Sequence, residues 1–208
     1  MNIFMSIIED LIRNISGRIG ILLRRAYYRN HLGACGAGVN IAEGVYFITP
    51  KKIFLHENVC IDKYAILIAG KQSDQHNTKP YLNLNFDKEE GTIHIGSNSH
   101  IGINSVLQGH GGISTGDYFT TSPHCKIYSL SNDYSKCKNG TYGDGEKYYL
   151  KSPVVIGTNV WLGLNVCILG GTIGNDTFIM PNAIVYEPIE ANSVASGSPA
   201  KKIKNRFD

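Results

Sequence analysis

The chain has 208 residues, of which 42% are hydrophobic and 18% charged, and its formal net charge is +3. That length fits one domain with short terminal additions. The mild charge, with no recognisable nucleic-acid-binding motif, excludes a nucleic-acid partner. Five cysteines, an odd number with no CxxC pair, exclude a disulfide framework or zinc knuckle and lead us to expect a reducing cytoplasm.

Taken in chain order, residues 1–33 predict a helical segment. Phe4, Ile7, Ile8, Leu11, Ile12, Ile15, Ile19, Leu22 and Leu23 recur at helical spacing. Charged residues interrupt every apolar run before it is long enough to span a bilayer. Two readings remain for this segment. Its apolar side packs on the body or a neighbouring subunit, or it makes a peripheral membrane contact with Arg13, Arg18, Arg24, Arg25 and Arg29 facing lipid phosphates.

From Ile41 onward an aliphatic residue returns every six positions, often followed by glycine: Ile95-Gly96, Ile101-Gly102, Leu107; Ile156-Gly157, Leu162-Gly163, Ile168; Ile173-Gly174, Ile179, Val185. No amphipathic helix has that period, whereas parallel β-helix repeats do. Each hexapeptide supplies one short strand and one turn, three close a triangular coil, and stacked coils bury one continuous core. The first coil is read as Ile41, Phe47 and Ile53, the second as Leu55, Ile61 and Leu67, and the weakest contains Thr115, Thr121 and Ile127. The fold class expected for residues 34–208 is therefore all-β, a parallel β-helix of hexapeptide repeats with two inserted loops, about 68–92 and 128–153. Every break in register falls at the corner between the third and first faces. Loops of repeat proteins gather on the binding face, so a ligand site is expected along this edge.

The C-terminal third carries Val160-Trp161-Leu162-Gly163, Ile173-Gly174 and Gly197-Ser198-Pro199-Ala200-Lys201. With these pieces the stretch from about Gly33 to Lys204 resembles the hexapeptide-repeat acyltransferases of left-handed β-helix fold, which include the galactoside, maltose and serine acetyltransferases and the sugar O-acetyltransferases of capsule and O-antigen. The resemblance implies a homotrimer, acetyl-CoA as co-substrate along the prism edge between two subunits, a histidine general base, and no metal. It implies that Trp161 and Gly163 line the pantetheine channel, that Pro181 and Ala183 offer backbone to the pantetheine amides, and that Lys201 and Lys202 face CoA phosphates. The expected reaction is direct acetyl transfer to a sugar hydroxyl in surface polysaccharide synthesis. The alternatives are a sugar N-acetyltransferase, disfavoured because only about 33 residues precede the repeats, and a catalytically inactive scaffold.

The family pattern places its base five residues past Ile127, where this chain has Asn132, and an amide does not take a proton at neutral pH. His110, in Gln108-Gly109-His110-Gly111-Gly112, and His124 are the candidate bases; His76 lies in the first loop. His94 and His100, six apart, stand on different faces and do not converge on a zinc ion. Asn132 and Asp133 are candidate substrate ligands, with Tyr128, Tyr134, Tyr142, Tyr148 and Tyr149 as a surface for a sugar. A backbone N–H of a glycine-rich turn is the expected oxyanion donor.

Overall fold

A computed structural model describes residues 3–71, 77–82, 84–136 and 148–208. His76 and Tyr142 lie outside them. Three parallel sheets form the faces of a prism. The first face stacks Ala34–Cys35, Ile53–Leu55, Ile93–Ile95, Ile113–Thr115, Val154–Ile156 and Gly171–Ile173; the second runs from Asn40–Ile41 to Phe178–Ile179 and continues into Val194–Gly197 and Ala200–Lys204; the third runs from Tyr46–Ile48 to Ile184–Val185. Inward residues pair rung to rung, as in Phe47↔Leu67↔Leu107↔Ile127↔Ile168↔Val185.

The register corrects the first coil. Ile41 pairs with Ile61 and Phe47 with Leu67, so the coil begins one face earlier, at Cys35, which pairs with Leu55. Ile53 and Leu55 belong to one strand, both buried. The doubtful coil is sound. Thr115 and Thr121 point inward, and their hydroxyls accept the N–H groups of Gly96 at 3.0 Å and Gly102 at 2.8 Å. Buried hydroxyls are tolerated because they are hydrogen-bonded.

Two corners of the prism follow one rule. Three residues after each inward residue the backbone turns left-handed, mostly at Asn or Asp: Asn58, Asn98, Asn159 and Asp176 on one edge, with Tyr118, and Asn104, Asn165 and Asn182 on the next, with Tyr64 and His124. Asn and Asp tolerate that region better than other side chains. Their amides also bond along the edge, as in Asn58 to Asn98 at 3.1 Å and Asn165 to Asn182 at 3.0 Å. Two residues before the inward position lies a second buried one, including Val59, Ala65, Ser99, Ser105, Val160, Val166 and Ala183. The third corner breaks these rules. There both insertions leave the prism and pair with each other: Asn77–Pro80 runs parallel to Tyr148–Lys151, which runs antiparallel to Leu130–Asn132.

Helices α1 (Ile3–Asn14) and α2 (Gly17–His31) precede the prism. Tyr28 packs edge-on against Phe47, ring centroids 4.8 Å apart, so α2 covers the first coil. The face of α2 that docks is Gly20, Arg24 and Tyr28. Arg24 donates to the carbonyls of Ile41, Ile12, Arg13 and Ile15, and Tyr28 donates to Glu9 at 3.0 Å. A polar network thus holds the hairpin on the prism, while Ile19, Leu22 and Leu23 are exposed in the single chain.

Candidate active site

At the irregular corner lies a cleft of about 380 Å³. Its floor comes from Tyr128, Leu169 and Tyr186, each one residue past an inward residue of the third face. Its walls come from the insertions: Tyr81, the run from Ser129 to Asn132, Tyr134, Leu150 and Ser152. Tyrosine was expected here at Tyr128 and Tyr134. Tyr186 was legible as the residue after Val185, whereas Tyr81 arrives only through pairing of the two insertions. Tyr149 is buried and serves packing instead.

Asn132 lines the cleft, and Asp133 does not. The Asp133 carboxylate accepts from the Ser135 backbone at 3.0 Å and hydroxyl at 2.6 Å, closing a turn. These bonds, the hydroxyl's first, hold its pKa below the usual aspartate value, and Lys79 and Lys136 add to the effect. Its expected role toward substrate or imidazole is therefore replaced by a structural one. Ser152 Oγ is buried with no hydrogen-bond partner among the described residues, as is Gln108 Oε1. An unpaired buried polar group costs roughly 1–3 kcal/mol.

His110 does not itself line the cleft, but its turn bonds to the cleft wall, where Gly111 N–H donates to Ser129 Oγ at 2.9 Å. His110 Nδ1 lies 2.6 Å from the Gly70 carbonyl. A carbonyl only accepts, so Nδ1 carries the proton and Nε2 the lone pair, the tautomer a general base needs. The glycines do not supply the expected oxyanion donors. The N–H groups of Gly109, Gly111 and Gly112 are engaged by Ile68, Ser129 and Gly109.

The residues expected to hold CoA lie elsewhere. Trp161 is 46% exposed on the second face, donating to Ser122 at 3.1 Å and packing on Phe178. Gly163 stands at the corner between the second and third faces, where a Cβ would come within 2.7 Å of Pro181 N. Pro181 is exposed there. Ala183 is corrected: it fills the second buried position of its hexapeptide at 1% exposure, its N–H bonded to Met180 and its carbonyl to Cys167. Lys201 continues the row of Gly163, Met180 and Ser196 along the second face, about 14 Å away at three strand spacings. Lys201 pairs with Glu187, and Lys202 lies 3.6 Å from Glu190. Exposed pairs of this kind are worth little.

His124 is exposed at the same corner as Gly163, with φ +64°. Every other residue at the matching turn of that edge from Asn104 to Asn182 is asparagine. His124→Gly is expected to raise unfolding free energy by about 0.5–1 kcal/mol, because glycine carries no Cβ penalty there; urea denaturation checks this. Cys125 is no nucleophile, since burial pushes its thiol up to about 11 and Sγ donates to Gly163 O at 3.2 Å.

His94 and His100 do stand on different sheets. His100, however, converges with Cys60 and Asp62. Their donor atoms all lie within 4.8 Å of one another, with His100 Nε2 2.9 Å from Asp62. This grouping could hold a metal ion, and a search for histidines alone overlooks it.

No family model matches the chain. It is 33% identical over 117 residues to galactoside O-acetyltransferase of Escherichia coli, covering 56% of this chain and 55% of that protein. It is 28% identical over 174 residues to the dTDP-4-amino-4,6-dideoxy-D-glucose acyltransferase of E. coli, covering 82% and 81%. Among solved structures it is similar to AntD, an N-acyltransferase from Bacillus cereus, with TM-score 0.70, 22% identity and coverage of 89% and 90%. The chain spans 28–55% of the length of the first curated relatives it matches. The fold is the left-handed β-helix of the hexapeptide-repeat acetyltransferases, and the relatives in sequence are acetyl- and acyltransferases.

Proposed function

We propose that this chain transfers an acyl group from acyl-CoA to an amino group of a nucleotide-linked deoxy sugar. The observation that carries this is the tyrosine-lined, largely apolar cleft, with the buried Ser152 hydroxyl lacking a partner among the described residues and with Asn132 among its lining residues. Aromatic faces suit a sugar ring or pyrimidine. The relative matched over most of both chains acts, by its name, on such an amino sugar. Its match spans 81% of its own length, so the shortness of the segment before the repeats does not count against this reading.

The cleft sits at the corner between the third and first faces, while Trp161, Gly163 and Lys201 lie on or beside the second face, across the prism. One chain does not bring the two halves together. In a homotrimer, the second face of one protomer meets the cleft edge of the next, and the site is completed there. The acceptor nitrogen attacks the thioester carbon. The new C–N bond replaces the C–S bond, the proton passes to His110 Nε2, and CoA leaves as thiolate to be protonated from solvent.

A hydroxyl acceptor is the second reading, favoured by the 33% identity to galactoside O-acetyltransferase. Product chemistry separates them. With acetyl-CoA and a 4-amino-4,6-dideoxy sugar nucleotide, we expect an acetylated product that survives hydroxylamine, as an amide does. A hydroxylamine-labile product, formed equally from the 4-hydroxy analogue, would establish an ester and overturn the amine reading.

Ser152→Ala gives an independent check. Removing an unpaired buried hydroxyl is expected to leave stability unchanged or to raise it by about 1 kcal/mol, while acceptor KM rises about tenfold. An unchanged KM would remove Ser152 from the acceptor site.

A further inference from the structure

We propose that the α1–α2 hairpin seats the protein on an anionic lipid surface. The inference is independent of the chemistry in the cleft. The hairpin docks on the prism through Gly20, Arg24 and Tyr28, which leaves a set of its aliphatic side chains exposed. Ile19 is 70% exposed, Leu22 60% and Leu23 41%, and Ile7, Leu11 and Ile15 are exposed as well. At 100° per residue, Ile19, Leu22, Leu23 and Ala26 fill about 100° of arc on the side of α2 away from the prism. Arg18, Arg25 and Arg29 fill the adjoining arc of about 40°. All three are exposed and make no ion pair among the described residues. Helix α2 contains no acidic residue.

An apolar stripe bordered by arginine is the pattern of a helix lying in a lipid interface, aliphatics among the acyl chains and guanidinium groups at the phosphates. No described helix is long and apolar enough to cross a membrane, so the contact is with the surface. A second copy of the hairpin is a poorer occupant. A twofold contact would set one arginine stripe against the other, and nothing on α2 neutralises them; a threefold contact would bury the stripe on a different surface of the neighbour, the outcome that a change of oligomeric state in the glutamate variant detects.

The test is co-sedimentation of the full chain with phosphatidylcholine vesicles, with and without phosphatidylglycerol, at low and high salt. We expect binding only to the anionic vesicles, weakened by salt. The combined variant R18A/R25A/R29A is expected to bind about a hundredfold more weakly, at about fivefold per basic residue. The variant I19E/L22E/L23E is expected to abolish binding with an unchanged melting temperature, because those side chains are exposed. Absence of binding to anionic vesicles at low salt would overturn the proposal. So would binding that both variants leave intact, or a glutamate variant whose only effect is to reduce the oligomeric state, which would assign the stripe to a subunit contact.

Discussion

His110→Ala is expected to lower kcat by about a hundredfold to ten-thousandfold, the usual worth of a positioned general base, with acyl-CoA binding unchanged. The Gly70 carbonyl fixes the imidazole with its lone pair on Nε2, and the turn that carries it bonds to the cleft wall at Ser129. His124 occupies the opposite corner with the Gly163 residues, exposed and in a left-handed turn. His124→Ala should therefore act on acyl-CoA KM, if on anything, and leave kcat within a factor of about two. Steady-state rates of both variants, with acyl-CoA affinity measured separately by calorimetry, decide between them. Loss of kcat in His124→Ala with His110→Ala unaffected would move the base to the other corner.

Arg24→Ala should be the most damaging substitution outside the core. The guanidinium is 1% exposed and donates to four backbone carbonyls, from Ile12, Arg13, Ile15 and Ile41. Truncation removes this donor from the carbonyls of Ile12, Ile15 and Ile41 in a buried site, while that of Arg13 keeps the N–H of Gly44, a cost of about 3 kcal/mol or more. Arg24→Lys is expected to recover only part of it, because one ammonium does not reproduce the planar fork. Urea denaturation followed by Trp161 fluorescence reads the loss. A change under about 0.5 kcal/mol, the range of ordinary surface substitutions, would mean that the polar network does not hold the hairpin.

Much of this architecture was legible because the repeat writes itself twice in most hexapeptides. In these an aliphatic residue points inward, and an Asn, Asp or Gly follows three positions later where the backbone turns left-handed; Thr115/Tyr118 and Thr121/His124 carry neither mark. Where both marks are present, as at Ile95/Asn98 and Ile101/Asn104, strand and corner follow. The first coil was misframed because Cys35 is a weak inward marker and Ile53 and Leu55 are both buried in one strand. The left-handed residues resolve the ambiguity: Gly38 and Gly44 follow Cys35 and Ile41 by three, and Asn58 follows Leu55.

The candidate site was legible as an edge but not as a cavity. The register breaks point to the corner, and Tyr128, Tyr134 and Asn132 could be read from its neighbourhood. Tyr81 and Ser152 depend on pairing between insertions far apart in sequence, which no local pattern encodes. Which side of α2 meets the prism was not legible for a related reason. Helical periodicity shows that an apolar stripe exists, not which side meets the prism, and here a buried arginine decides it. His100 likewise shows its convergence with Cys60 and Asp62 only when adjacent rungs are stacked.

Thiol release from acetyl-CoA by the wild-type chain, in the presence of amino-sugar nucleotides and of hydroxyl sugars, tests the central claim most directly. The account predicts acceptor-dependent release matched one for one by acylated sugar. Binding of CoA with no release above the hydrolysis background across both acceptor classes would contradict it, and would make Asn132, standing where a base is expected, the mark of a chain that keeps the fold without the catalysis.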